Sequence, residues 1–283
     1  MSETGTVLRS TPRSSNRRRG PRYFLRVLGV TAGADYKLKY SGSLLGYVWS
    51  VVKPLALFTL LYFVFGRIFK LDAVSDYYPQ TLLLGIVCFY FFTDATNQAM
   101  YSLVSKESLL RKMVFPKVVI PLSAVLTATI TFLVNLVVVG AFVAAAGITP
   151  RLSWALLPLL LLELLAFTTG VSLILATVFV RLRDISQVWD LTAQLFMYAS
   201  PIMYPVGYLP GWAQQVVFLN PFTQIIQDAR SLILYPDNPG NRITVDHALG
   251  QFGRLAPVGI AILFLAVGLA LLKREEPWFA ERV

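Results

Sequence analysis

Ser105 to Pro121, SKESLLRKMVFPKVVIP, is a charged, proline-punctuated island between two long apolar runs. Before it, Pro79 to Val104 carries no Lys or Arg and is long enough to cross a bilayer; after it, Val118 to Thr149 holds no charge at all. The island therefore reads as a turn at a membrane surface. Lys106, Arg111, Lys112 and Lys117 outnumber the single acid Glu107, which by the positive-inside rule puts the island on the cytoplasmic side. Ser108 to Val114 contains good helix formers and no proline, and Phe115-Pro116 stops that stretch before a new helix begins. A short cytoplasmic helix with exposed apolar residues predicts a protein partner.

Composition points the same way. Hydrophobic residues make up 56% of the chain and charged residues 14%, with a mean hydropathy of +0.63, far from soluble averages. The formal charge of +10 sits mainly in the N-terminal segment and the island, so anionic lipid headgroups account for it better than nucleic acid does. Cys88 and His247 are each the only residue of their type. An intrachain disulfide is impossible, and no set of Cys or His offers a metal site.

Residues 1–21, rich in Ser, Thr and Arg, read as a disordered cytoplasmic tail with no signal-peptide h-region. Residues 22–40 mix basic residues with Tyr23, Phe24, Leu25, Val27, Leu28 and Val30, which predicts either an interfacial amphipathic helix, with a break near Gly33, or a basic linker. Residues 41–283 then contain six spanning candidates: Leu44 to Phe69, Gln80 to Val104, Val118 to Ala146, Trp154 to Val180, Ile185 to Val206 and Leu255 to Leu272. The expected fold is all-α and membrane-integral, with both termini cytoplasmic in a bacterial cytoplasmic membrane. Between the last two spans, Trp212 to Leu219 and Pro221 to Leu234 are apolar enough to dip into the outer leaflet as re-entrant helices, or to lie on it as an amphipathic hairpin.

Polar side chains within spans are costly and tend to face protein or water. Gln187, Asp190, Gln194 and Tyr198 recur at three- and four-residue steps, so they share one helix face. Tyr90, Asp94, Asn97, Gln98 and Tyr101 form a similar stripe on the second span. Lys53 and Asp94 each lie about nine residues from the cytoplasmic end of their spans, roughly 13 Å deep at about 1.5 Å per residue. They are expected either to form an ion pair, within or between chains, or to leave Lys53 snorkelling to the headgroups. Phe58, Tyr62, Phe65 and Phe69 run down one face of the first span, available for stacking on sugar rings or for lipid contact and helix packing. Glu163 stands mid-span with no basic partner at its depth.

The chain has no G-x-x-x-x-G-K-[ST] phosphate loop and no pair of repeated halves. A six-span chain of this kind reads as half of a larger machine. Tyr40-Ser41-Gly42-Ser43-Leu44-Leu45-Gly46-Tyr47-Val48-Trp49 with Lys53-Pro54-Leu55 resembles the opening motif of the ABC-2 type permeases that export polysaccharides and teichoic acids. Leu109-Leu110-Arg111-Lys112, Phe115-Pro116, Arg183-Asp184, Ser200-Pro201-Ile202, Tyr204, Leu209-Pro210, Asn220-Pro221 and Arg230 follow in the family's order.

The resemblance implies a homodimer joined to two copies of a nucleotide-binding subunit. That subunit would hold ATP and Mg, no cofactor would sit on this chain, and the cargo would be a lipid-linked glycan such as an O-antigen or teichoic acid. Leu109, Leu110, Arg111, Lys112, Phe115 and Pro116, within a coupling segment at 105–117, would contact that motor. Lys53, Phe58, Tyr62, Asp94, Gln187, Asp190, Gln194, Tyr198, Pro201 and Tyr204 would line the channel. Trp212, Asn220, Pro221 and Arg230, within residues 207–235, would form an extracellular gate. Lys106 and Glu107 depart from the family's frequent Asn. A small-molecule or lipid exporter of the same family, or a membrane enzyme of polyprenyl-linked glycan synthesis, are the alternatives; the scattering of Asp94, Glu163 and Asp190 over different spans weighs against the enzyme.

Overall fold

The computed structural model describes residues 20–40, 46–73, 76–108, 116–235, 244–250 and 252–279. The expected tail up to residue 19, residues 41–45 of the opening motif, residues 109–115 of the island and residues 236–243 of the outer loop lie outside the described residues. The described residues form helices and no strands.

The first helix, α1 (Pro21–Tyr40), starts on a proline, which lacks only an N–H that the first turn would leave unused, and ends with Lys37 and Lys39 against its negative dipole end. It passes through Gly33 without the expected break. Ala32 is 1% exposed where α1 lies against α4 (Val119–Ala145). The next helix, α2 (Val48–Leu61), continues as a wider π-helical stretch over Tyr62–Ile68. Pro54 inside α2 cannot donate to the carbonyl of Ser50 four residues earlier. Asn135 of α4 supplies the missing donor, its Nδ2 lying 3.2 Å from Ser50 O, so a sequence-local defect is repaired by a neighbouring helix.

Helix α3 (Tyr78–Ser105) is the centre of the bundle, buried along most of its length against α2, α4, α5 (Leu157–Arg181) and α8 (Pro221–Leu234). The remaining helices are α6 (Ile185–Ala199), α7 (Gly211–Phe218), α9 (Val245–Leu249) and α10 (Leu255–Glu275).

Among the described residues, four stretches are long and apolar enough to cross a membrane: Val48–Ile68, Val119–Ala145, Leu152–Arg181 and Leu255–Glu275. The second and fifth expected spans differ for separate reasons. At 28 residues α3 is long enough, but Asp94, Asn97 and Gln98 dilute its apolar character, which burial inside the bundle allows. Helix α6 has only 15 residues, about 22 Å of rise, and ends short of the expected Val206. Pro201 disfavours helical backbone at the residue before it, and Ser200 is accordingly extended, at ψ 132°.

The cytoplasmic and outer assignments of the sequence sort the helix ends into two sets, each tied together by contacts. At one end, Lys106 meets Asp35, Lys117 Nζ donates to Glu276 O at 2.7 Å, and Arg181 pairs with Glu275. At the other, Tyr235 donates to Asp76 O, and Arg254 pairs with Asp228 and Asp246.

Helices α5 and α10 cross closely at two glycines. A Cβ on Gly170 would fall 2.5 Å from Leu265 N, and one on Gly268 would fall 2.6 Å from Gly170 O. Both obstacles are backbone, which cannot rotate away as a side chain does. Gly170→Ala is expected to cost about 2 kcal/mol by overpacking, read as a lower Tm of the detergent-solubilised chain; an unchanged Tm would show that the two helices separate freely.

Candidate functional site

The island is held at both flanks. Lys106, which ends α3, lies 2.5 Å from Asp35 Oδ2 of α1, and the same oxygen accepts from Ser123 Oγ of α4 at 2.9 Å. The side chains of Lys106 and Asp35 are 19% and 20% exposed, which limits solvent screening of the pair. On the other flank, Lys117 donates through its backbone N–H to Glu276 Oε1 at 3.0 Å. Pro116 is exposed. The expected motor contacts Leu109, Leu110, Arg111, Lys112 and Phe115 lie outside the described residues.

A cavity of about 280 Å³ is lined by residues that include Lys39, Trp49, Lys53, Tyr90, Asp94 and Asn135. Within the chain, Asp94 Oδ2 accepts from Lys39 Nζ at 2.7 Å, while Lys53 lines the same cavity. Helix α1 lies close enough for its last turn to deliver Lys39, which hydropathy along α2 and α3 does not register. The pair is about a third exposed, so its value lies more in fixing the end of α1 than in stability, where such pairs contribute about 1 kcal/mol or less.

Among the described residues, α2, α6 and α10 keep exposed faces. The Val48–Ile68 window is 11% buried and Leu255–Glu275 22%, against 44% for Val119–Ala145 and 56% for Leu152–Arg181, and on α2 Trp49, Leu60 and Phe63 stand exposed. On α6, Gln187, Asp190, Gln194 and Tyr198 are exposed beside Val188, Leu191 and Leu195. Its other face, carrying Trp189 and Phe196, packs on Phe92 at ring separations of 5.8 and 5.2 Å. The polar stripe therefore stays together and points away from the chain's own core.

The aromatic face of the first span divides: Phe69 is 65% exposed and stacks on Phe65, while Phe58 and Tyr62 turn toward neighbouring helices. Phe58 is 7% exposed, stacks on Tyr62 at 5.8 Å and meets Phe142 edge-on at 5.6 Å. Tyr62 in turn faces Tyr78 at 6.5 Å. Within the chain these rings pack helices together, one of the two uses expected of them.

The residues assigned to an outer gate separate by burial. Trp212 on α7 is 72% exposed. Asn220 caps α8 through Oδ1, accepting from Phe222 N at 3.0 Å, and Pro221 occupies the first turn. Beyond the cap α8 is largely buried, and Phe222 joins the Phe92 ring cluster at 5.5 Å. Helix α8 is therefore packed into the bundle.

Arg230, at 6% exposure, is not a surface group of this segment. Its guanidinium donates to Thr81 O at 2.8 Å, Pro201 O at 2.8 Å and Ile202 O at 2.9 Å, clasping α3, α8 and the extended chain after α6. Gly85 leaves the room, since a Cβ there would fall 2.7 Å from Arg230 Nη2. Beside it, Tyr204 donates its hydroxyl to Tyr198 O at 3.0 Å.

Asp35 and Lys39 were not singled out from the sequence. Their signal was available: with Ala32 they fall at steps of three and four, one face of α1 carrying a small residue, its acid and a base. Glu275 and Glu276, in the terminal segment, carried no periodic signal.

Together these features define a polytopic helical membrane protein, its charged island anchored at both flanks and helix faces exposed among the described residues. The chain belongs to the ABC-2 type transporter family, which it matches over residues 28–234. It is 29% identical to the O-antigen export system permease protein RfbA of Klebsiella pneumoniae, across 92% of this chain and 95% of that one. It is 24% identical to the RfbA permease of Myxococcus xanthus, across 88% and 92%, and 20% identical to the polysialic acid transport protein KpsM of Escherichia coli, across 86% and 90%. The family read from the ordered motifs is borne out.

Proposed function

We propose that this chain is the membrane subunit of an ATP-driven exporter that moves a lipid-linked cell-envelope polysaccharide across a bacterial cytoplasmic membrane. The observation that carries the reading is the near full-length similarity to permeases named for O-antigen and polysialic acid transport. Two copies of the chain form the pathway, with two copies of a nucleotide-binding subunit holding ATP and Mg below them. The uncovered faces of α2 and α6 support a dimeric pathway, because an apolar face carrying exposed polar groups is poorly matched to lipid alone. The chain crosses the membrane six times, α3 and α6 included, with both termini inside. The island docks the motor, and α7 and α8 cap the outer mouth.

The direct test is to purify the tagged chain in mild detergent from its own host. A stoichiometric ATP-binding subunit, with ATPase activity that rises when the two are joined, is the expected result. A chain that emerges alone, with export independent of any ATPase, overturns the reading. Replacing Gln194 and Tyr198 together with Leu is expected to reduce polysaccharide export about tenfold while co-purification of the motor stays intact. Unchanged export would mean that the stripe only packs helices.

A further inference from the structure

A cavity of about 400 Å³ lies between the N-terminal half of α5, α8 and the first turns of α10, and shares no residue with the Lys39–Asp94 cavity. Its volume is that of a small-ligand site. Its outer wall includes Leu159, Leu162 and Ile262, 64%, 62% and 60% exposed on two of the membrane-crossing stretches, so it opens sideways to hydrocarbon. Its inner end is polar, with Glu163, Asp228 and Arg254 in the lining.

Among the described residues, that polar end is short of donors. Asp228 is 4% exposed; its Oδ2 accepts from Gln224 Nε2 at 2.7 Å and lies 3.2 Å from Arg254 Nη2, but its Oδ1 has no partner among them. Glu163 Oε1 and the buried Gln224 Oε1 also have none. The same Arg254 Nη2 lies 3.2 Å from Asp246, so among the described residues Asp228 and Asp246 share one guanidinium, with Glu163 in the same lining. Buried acceptors are normally satisfied. Among the described residues, what these acceptors lack is a group with several N–H donors, and the cavity adds room for an apolar body that meets the leucines.

We propose that this cavity seats an aminophospholipid of the ethanolamine class, its ammonium group received by Asp228 and Glu163, its phosphate by Arg254 and an acyl chain by the leucine wall. A primary ammonium brings three donors to the acceptors that lack them. The phosphate that adjoins it in such a headgroup meets the half-exposed Arg254, a charge-assisted contact. A choline headgroup has the charge without N–H donors, a glycerol headgroup has no cation, and a metal ion leaves the leucine wall unoccupied. The site ties α8 to α5 and α10, so a bound lipid steadies the buried helix that Arg230 clasps from its other side. The inference requires only that the chain resides in a membrane, and stands apart from the identity of the cargo.

The test uses the full chain, purified and delipidated in detergent, then supplied with phospholipids of identical acyl chains and ethanolamine, choline or glycerol headgroups. Native mass spectrometry is expected to show about tenfold greater retention of the ethanolamine lipid, with a rise in Tm that the other two do not give. Asp228→Asn is expected to abolish the preference. Because Asp228 also holds Arg254, Leu159→Trp serves as a second variant that fills the cavity from the lipid side; it is expected to lose the bound lipid and keep the Tm of the delipidated chain. Equal retention of all three headgroups, a preference that survives both variants, or the same stabilisation by magnesium or calcium alone would overturn the proposal.

Discussion

Arg230→Met is expected to lower the Tm of the detergent-solubilised chain by about 8 °C, the largest loss of stability from any single side chain outside the helix crossings. The guanidinium serves Thr81 O, Pro201 O and Ile202 O at once, in a site 6% exposed. Truncation leaves buried carbonyls without donors, at about 1–3 kcal/mol for a buried group left unsatisfied. Thr81 O also belongs to a helix, so a total near 3 kcal/mol is the appropriate scale, and at roughly 2–4 °C per kcal/mol for a chain of this order the shift follows. Arg230→Lys keeps the charge but cannot present the planar fork to several carbonyls, and is expected to recover less than half of the loss. Gly85→Ala pushes on the same guanidinium from α3 and should lower Tm in the same direction. A Tm within 1–2 °C of wild type for Arg230→Met, on the same scale, would mean that the clasp contributes nothing.

The second large effect is expected at the anchored flank of the island and rests on the motor-docking reading. Asp35→Lys places two ammonium groups where Lys106 and Asp35 now lie 2.5 Å apart, each about one-fifth exposed. Breaking and reversing such a pair costs about 3 kcal/mol locally and frees α1 from both α3 and Ser123 of α4. If motion of the docking segment reaches the membrane through this joint, export falls more than tenfold while ATPase activity of the assembled complex stays within about twofold. The exchange Asp35→Lys with Lys106→Asp restores the opposite charges and is expected to recover at least half of the export. Equal loss in single and double variants, with the complex still assembled, would remove the pair from the transmission path.

Much of the molecule was legible along the chain because its cues are local. Hydropathy marks where α2, α4, α5 and α10 run, proline marks where α3 and α8 begin and where α6 stops, and the three-four spacing of Gln187, Asp190, Gln194 and Tyr198 holds them on one face whatever surrounds it. The ordered motifs carried the family. Contacts between distant segments were not legible in the same way. Asp94 and Lys53 sit at matching depth, yet α1 comes closer and supplies Lys39. Arg230 reads as an outer charge on an apolar helix, and becomes a buried clasp only because the carbonyls of residues 81, 201 and 202 converge on it.

By itself, then, the sequence determined the membrane class, the helical path, the punctuation of that path and the family, all properties of residue type and short-range spacing. Only the tertiary structure decided which acid meets which base, that the Phe58 and Tyr62 rings pack inward while the α6 stripe faces outward, and that α8 is buried. Hydropathy assigns a residue to a depth, whereas the rotation of each helix about its axis, and hence every one of these contacts, is set by how its neighbours fill the space beside it.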